Sequence, residues 1–222
     1  MAAQEAPKET KRFRRQPGVG RELILAAAHD EFSERGYARA TTRSIAERAG
    51  VAEPLLFRHF GSKAALFNEV VFGPMQAFMV EWEKFYIKAG NDYDAEPLAK
   101  HFVGGLYDLL QENRGLIVTY LATRVFEPDV LDEPNDVPTF IEVIGLMDRM
   151  TQERVAPDNP RGRRTKVTAK IRVHERINIG SVIAAALFDE LLFAAMPSRP
   201  SRNQVVNELA RIAVASLPST SS

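Results

Sequence analysis

The stretch that decides the fold is residues 41–66, which read TTRSIAERAGVAEPLLFRHFGSKAAL. Thr42 is the predicted cap of a short helix that ends at Ala49, and Gly50 supplies the residue that tolerates positive φ in a tight turn. A second short helix is predicted from about Glu53 to His59, with Pro54 in its first turn, where a missing N–H costs little. Two short helices joined in this way predict a helix-turn-helix, whose second helix enters the major groove of DNA.

The apolar residues of this stretch fit that arrangement. Small side chains at Ala46 and Ala49 let two helices cross closely, and Phe60 is expected to pack against a preceding helix. That helix is predicted from about residue 21 to 35, with Gly36 following it as a helix-ending glycine. Ser62 is predicted to cap a further helix that begins at Lys63.

The rest of the chain carries only helical patterns. They cover residues 63–88, with an expected kink or break at Gly73-Pro74, then 96–111, 114–126, 138–155, 165–195 and 201–217. The sequence therefore predicts an all-α protein of about nine helices. Its expected parts are a basic disordered arm (1–20), the helix-turn-helix domain (21–67), a helical regulatory and dimerisation domain (68–217) and a tail (218–222).

Charge is unevenly distributed although the formal net charge of the chain is zero. Residues 1–65 hold 12 Lys and Arg against 8 Asp and Glu. A basic N-terminal part fits an anionic partner such as DNA. The arm at 1–20 either contacts that DNA or is a solvated tail.

Several classes of function lack support in the sequence. There are no cysteines, and the four histidines have no partner at metal-ligand spacing. We find no nucleophile elbow, phosphate-binding loop or dinucleotide fingerprint. No apolar run reaches the length of a membrane span, and no signal peptide is recognisable. The sequence predicts a cytoplasmic protein that is not an enzyme and needs neither cofactor nor metal.

The motif resembles the tetracycline-repressor (TetR) family of bacterial regulators. The matching positions are Thr42, Ile45-Ala46, Ala49-Gly50-Val51, Phe57, His59-Phe60 and Ser62-Lys63. The close resemblance spans residues 21–67, and the remainder is similar only in length and helical character. The resemblance implies a repressor that binds a palindromic operator as a homodimer and responds to a small apolar or amphipathic ligand.

The same resemblance implies which side chains meet DNA. Thr42 and Lys63 would face phosphates from helix N-termini, and His59 and the aromatic Phe57 are further phosphate contacts. Arg43 and Arg58 are candidates for backbone or base contact. The residues expected to approach base edges are those that open the third helix: Ala52, Glu53, Pro54 and Leu55.

Three features depart from the family pattern. Phe57 stands where tyrosine is usual and has no hydroxyl, and Ala52 replaces a small polar residue. Glu53 introduces a carboxylate that can accept from cytosine N4 but is repelled by phosphates. These departures favour weaker or more apolar base readout, and they keep a second interpretation open. In that interpretation the chain is a helical small-molecule or protein-binding module whose DNA-binding end is vestigial.

Aromatic and methionine residues recur after the motif. They can simply fill a core, or they can line an apolar pocket, which the family places among these helices. The candidate pocket residues are Met75, Phe78, Met79, Trp82, Tyr86, Phe102, Tyr107, Tyr120 and Met147.

Small residues cluster in the predicted helix at 165–195 and permit close approach of another helix. The family dimerises through its last two helices, so a subunit interface is expected here, with a contact inside one chain as the alternative. The candidate interface residues are Gly180, Ser181, Ala184, Ala185 and Phe188.

Overall fold

The computed structural model describes residues 18–89, 94–131 and 169–215, and within these ranges it is all-α, as predicted. The described α-helices are α1 (Val19–Arg39), α2 (Thr42–Ala49), α3 (Glu53–Phe60), α4 (Lys63–Ala89), α5 (Ala95–Glu112), α6 (Arg114–Phe126), α7 (Ala169–Leu187), α8 (Asp189–Leu192) and α9 (Arg202–Ala215). A 3₁₀ turn at Pro128–Leu131 follows α6. The predicted helix at 138–155, Met147 and most of the basic arm lie outside the described residues.

The first helix ends in two steps. Gly36 has φ 71° and ψ 173°, which interrupts the regular helix at the position the sequence indicated. A short turn then continues to Arg39, and the Ala40 N–H closes it by donating to the Gly36 carbonyl over 3.2 Å. Glycine suits this position because positive φ is costly for a residue with a Cβ.

The structure differs from the sequence prediction at two points along the later helices. α4 runs unbroken through Gly73 and Pro74, so the break expected there as the alternative to a kink does not occur. The surrounding core explains this, since Val70, Val71 and Met75 on either side of the pair are buried and their packing offsets the hydrogen bond that proline removes. The helix expected to reach residue 195 stops at Leu187, because Phe188 leaves the helical region with φ −118° and ψ 22°.

One apolar core runs from the helix-turn-helix into the later helices. Phe32 of α1 and Phe67 of α4 are fully buried, and their rings meet edge to face with centroids 4.7 Å apart. α1 packs against α2, α4 and α6, while α5 packs against α7 and α9. The first turns of α4 therefore join the two parts of the chain. No helix among the described residues is long and apolar enough to span a membrane.

Candidate nucleic-acid interface

The N-terminus of α2 is fixed by a capping box. Thr41, not Thr42 as predicted, is the cap: its Oγ1 accepts from the Ser44 N–H over 3.0 Å, and Ser44 Oγ accepts from the Thr41 N–H over 3.3 Å. The prediction was one residue late because either threonine can accept from the third helical N–H. Thr42 is consequently the first helical residue, and its hydroxyl is available for another contact.

A buried carboxylate ties α2 to α1. Glu31 is 2% exposed and lies within 3.1 Å of Ser44 Oγ, so the capping box is anchored to the preceding helix. Arg48 reaches the other oxygen of this carboxylate over 3.1 Å, and Arg35 approaches it over 3.3 Å. Two cations and a hydroxyl compensate for the burial of the charge.

Sequence reasoning missed Glu31 because a glutamate in a helix normally faces solvent. One signal was present. Glu31 lies seven residues after Ile24 and three after Ala28, which places it on the same buried face of α1.

The turn between α2 and α3 has the predicted geometry. Gly50 is left-handed, with φ 63° and ψ 37°, and the Val51 N–H donates to the Ala46 carbonyl over 3.0 Å. The left-handed Gly50 and this hydrogen bond together end α2 and turn the chain toward α3. α3 then starts with Pro54 in its first turn and without a side-chain cap at Ala52, as the sequence indicated.

Thr42 and Glu53 meet across this turn. The Thr42 hydroxyl donates to Glu53 Oε1 over 2.6 Å, and both side chains are half-buried. Glu53 thus folds back against the start of α2. Both helices present their N-termini at this point, where the backbone dipoles favour a negative group.

Leu55 is also turned away from the exposed face of α3. It is half-buried, and its Cδ2 lies 3.3 Å from the position that a Cβ on Gly20 would take. Glycine in the first turn of α1 permits this approach. Leu55 therefore packs against α1, while Ala52 and Pro54 are the exposed members of the predicted base-reading group.

The remaining predicted contacts on α3 are accessible. Phe57 is 45% exposed, and Arg58 and His59 are exposed beside it. Arg58 makes no ion pair with any residue that the structure describes. Arg43 on α2 is exposed as well, and its Nε donates to Glu47 over 3.0 Å. That hydrogen bond is the main reason why the pKa of Arg43 is raised.

Lys63 is held differently from the other candidates. Its ammonium lies 4.3 Å from the centre of the Tyr37 ring, a cation–π contact between α4 and the end of α1. Burial lowers the pKa of Lys63, and the charge of Glu127 partly opposes this shift. Tyr37 was not predicted, although the aromatic residue directly after Gly36 was a visible signal.

The predicted pocket residues fall into separate groups. Phe78, Trp82 and Tyr86 of α4 lie together, and Phe102 of α5 packs against Trp82 with ring centroids 5.0 Å apart. Phe78 and Phe102 are 5.7 Å apart, so these four rings form one cluster, called the α4–α5 aromatic cluster below.

The other candidates lie outside that cluster. Tyr120 packs on Phe72, 4.7 Å away near the start of α4, and Tyr107 is a buried residue whose hydroxyl accepts from Gln111 over 3.2 Å. Met75 and Met79 are buried in the main core.

An apolar stripe runs along the exposed side of α7. It comprises the exposed Val173, Ile177 and Gly180 and the half-buried Ala184, and Phe188, Leu191 and Leu192 extend it past the end of α7 into α8. Ser181 is half-buried, and its hydroxyl donates to the Ile177 carbonyl. Ala185 faces the interior of its own chain, so it is not on the side of α7 that another subunit can reach.

Among the residues that the structure describes, no group of three or more His, Asp or Glu side chains is placed to hold a metal ion.

Residues 24–70 match the family described as bacterial regulatory proteins, tetR family. The helix-turn-helix of this chain is a TetR-family domain. The match begins in α1 and ends in the first third of α4, so it includes the capping box, the glycine turn and the exposed face of α3. The predicted resemblance is confirmed.

Two curated relatives show where sequence similarity lies. The HTH-type transcriptional activator FasR of Mycolicibacterium smegmatis is 46% identical over 48 residues, which are 22% of each chain. The HTH-type transcriptional repressor Rv3405c of Mycobacterium tuberculosis is 47% identical over 62 residues, 26% of this chain and 33% of that protein. The chain thus matches about a fifth to a third of the length of these relatives.

Solved structures extend the likeness to the whole fold. A putative TetR-family transcriptional regulator from Mesorhizobium loti superposes with a TM-score of 0.62 at 17% identity, covering 90% of this chain and 96% of that one. The regulator FadR of Bacillus subtilis, solved with stearoyl-CoA, superposes with a TM-score of 0.57 at 15% identity, covering 89% and 99%. At such identities the likeness concerns the fold alone.

Proposed function

We propose that this chain is a DNA-binding transcriptional regulator that binds a palindromic operator as a homodimer and represses transcription until a ligand binds its later helices. The observation that carries the proposal is the exposed face of α3 within a TetR-family helix-turn-helix. Arg58, His59 and Pro54 are exposed on α3, and the start of this helix contacts the N-terminus of α2 through Glu53 and Thr42. Binding to chromosomal DNA implies a protein of the cytoplasm.

The exposed apolar stripe on α7 supports a dimer. A row of apolar side chains with small residues at its centre fits the same row of a second copy across a two-fold axis. In a dimer that reads DNA with two α3 helices, these helices lie roughly 34–36 Å apart, one helical turn of DNA. A palindromic operator follows from that symmetry.

Repression is the direction we propose, although FasR is an activator and Rv3405c is a repressor by name. The two modes differ in where the operator lies relative to the promoter. In vitro transcription from a template carrying the selected operator decides between them, because a repressor lowers transcript yield and an activator raises it.

The proposed ligand is apolar or amphipathic, and the α4–α5 aromatic cluster supports this class. Phe78, Trp82, Tyr86 and Phe102 offer several ring faces to an apolar chain. FadR, which shares the fold, was solved with stearoyl-CoA, so long-chain acyl-CoA is the first compound to test.

The DNA half of the proposal is tested by selection from random duplexes, followed by anisotropy measurements at several salt concentrations. We expect a palindromic consensus and an affinity that falls steeply with salt. Arg58→Glu and Arg43→Glu should each weaken operator binding about tenfold or more, because each places an anion against phosphate. Lys84→Glu is the matched control, since Lys84 is exposed near the far end of α4.

Three outcomes contradict the DNA half of the proposal. Selection without enrichment supports a vestigial DNA-binding end. Equal effects of the Lys84 and Arg58 variants contradict the assigned docking face. If the protein is monomeric at the concentration used for binding, a palindromic operator bound by a dimer is contradicted.

The ligand half has a built-in reporter, because Trp82 is the only tryptophan of the chain. Titration with stearoyl-CoA should change its fluorescence and release the operator, whereas free coenzyme A should do neither. Trp82→Phe keeps an aromatic ring and serves as the optical blank. An unchanged Trp82 signal with intact operator binding argues against this ligand class at the α4–α5 aromatic cluster.

A further inference from the structure

The hydrogen bond between Thr42 and Glu53 occupies a place that DNA would need. Thr42 is the first residue of α2, and the N–H groups at the start of a helix form an anion site. The capping box satisfies the Ser44 N–H, and the Thr42 hydroxyl donates to the Glu53 carboxylate over 2.6 Å. A carboxylate therefore lies beside a natural position for a backbone phosphate.

Glu53 is held in this place by the local fold. It is half-buried at the first position of α3, and the Gly50 turn brings that position next to Thr42. Its negative charge also acts on Arg43, which extends from the same turn of α2. The carboxylate thus contacts Thr42 and lies within electrostatic range of Arg43, the two candidates on α2 to meet DNA.

We infer that Glu53 is a specificity-determining residue that suppresses binding to non-cognate DNA. The inference rests on the proposed function. On an arbitrary sequence the carboxylate stays at Thr42 and repels the incoming phosphate. On the operator it turns into the major groove, where it accepts from the N4 amino group of a cytosine and releases Thr42 for the phosphate.

The hydrogen-bonding groups of the bases determine which DNA sequences can draw the Glu53 carboxylate away from Thr42. A carboxylate only accepts hydrogen bonds, and in the major groove cytosine N4 and adenine N6 are the exocyclic donors. Guanine offers two acceptors in that groove and repels the charge, and adenine places its N7 acceptor beside the N6 donor, so cytosine suits a carboxylate best. The operator should therefore contain a cytosine opposite the start of α3 in each half-site.

The test compares wild type, Glu53→Gln and Thr42→Val on the selected operator, on its single-base-pair variants and on a random duplex. Glu53→Gln keeps an acceptor for Thr42 but loses the charge. We expect roughly tenfold tighter binding to the random duplex, a smaller gain on the operator, and a shift of preference from cytosine to adenine at one base pair.

Thr42→Val distinguishes the effect of the Glu53 charge from the effect of the hydrogen bond between Thr42 and Glu53. It removes the hydrogen bond and keeps the carboxylate, so the cytosine preference and the weak binding to random DNA should persist. Glu22→Gln is the matched charge control: it removes one exposed acid from the first turn of α1 and should leave base preference unchanged. Thermal unfolding checks that all variants are folded.

The inference is overturned if Glu53→Gln has the base preference and the random-duplex affinity of wild type. It is overturned equally if Thr42→Val reproduces the Glu53→Gln profile, because the hydrogen bond and not the charge then controls binding. In both cases wild type still selects an operator, so the proposed function stands. Absence of any selected sequence with wild type contradicts both.

Discussion

The helix-turn-helix and the helices that follow it, including the later turns of α4, are built from the same secondary structure but are held by different kinds of contact. In the first, a capping box at Thr41, a buried carboxylate at Glu31 and a left-handed Gly50 each require a particular residue type. In the second, aromatic rings pack between α4 and α5, and an ion pair between Arg202 and Asp108 accompanies the packing of α9 on α5. The capping threonine and the turn glycine leave a motif in the sequence, whereas the buried Glu31 does not and apolar packing leaves only a periodicity.

The largest expected effect comes from a substitution in the core that joins the helix-turn-helix to the later helices. Phe67→Ala should destabilise the fold by about 3–5 kcal/mol, because the ring is fully buried between Phe32 and Tyr37. Denaturant unfolding measures the difference. Phe126→Ala is the control, since that ring is 81% exposed and its loss should change stability little. Equal effects would contradict the assigned core.

The second effect tests whether polar contacts hold the helix-turn-helix. Glu31→Ala should cost about 2 kcal/mol, because it leaves the capping box unanchored and removes the buried one of the carboxylates that pair with Arg48. Glu34 pairs with the same arginine at the surface, so Glu34→Ala should cost well under half as much. If the two variants unfold alike, burial of Glu31 contributes nothing to the contrast between the two parts.

The third effect compares two glycines. Gly50→Ala should destabilise by about 1 kcal/mol, because alanine must take φ 63°. Gly180→Ala lies within α7 with open space around an added Cβ, and it should stabilise the isolated subunit by up to about 1 kcal/mol. Thermal unfolding at concentrations where the chain is monomeric measures the change in stability of each variant relative to wild type. Changes of the same sign in both variants would contradict this difference between the two glycines.

The smallest effect concerns Asp189, a polar exception in the second part. Burial opposes its ionisation, but hydrogen bonds from Arg199, the Glu190 N–H and Gln111 outweigh burial and lower its pKa. A lowered pKa stabilises the fold above the ordinary value of 3.8, and this stabilisation is lost as pH falls through the lower folded value.

Asp189→Asn should therefore lose about half a kcal/mol near neutral pH, and the difference from wild type should shrink below about pH 4. Urea unfolding between pH 3 and 7 measures this. A difference that is independent of pH would assign Asp189 a packing role instead of an electrostatic one.

The sequence predicted the exposure of Arg43, Arg58 and His59 better than the grouping of the pocket candidates, for a physical reason. Arg43, Arg58 and His59 belong to short helices whose bounds the motif sets, so their exposure followed from position alone. Trp82, Tyr107 and Tyr120 carry equal hydrophobic signals, yet only Trp82 joins the α4–α5 aromatic cluster. Which apolar side chains share a site depends on how helices distant in sequence are placed.

By itself the sequence determined the all-α class, the TetR-like motif and, to within a residue, the limits of α2, α3 and α6, because local capping, turn geometry and helical periodicity act within a few residues. The tertiary structure decided that α4 passes Pro74 unbroken, that Ala185 faces inward and that Glu53 turns back onto Thr42. Each of these depends on a side chain from another turn or helix, whose approach no local pattern encodes.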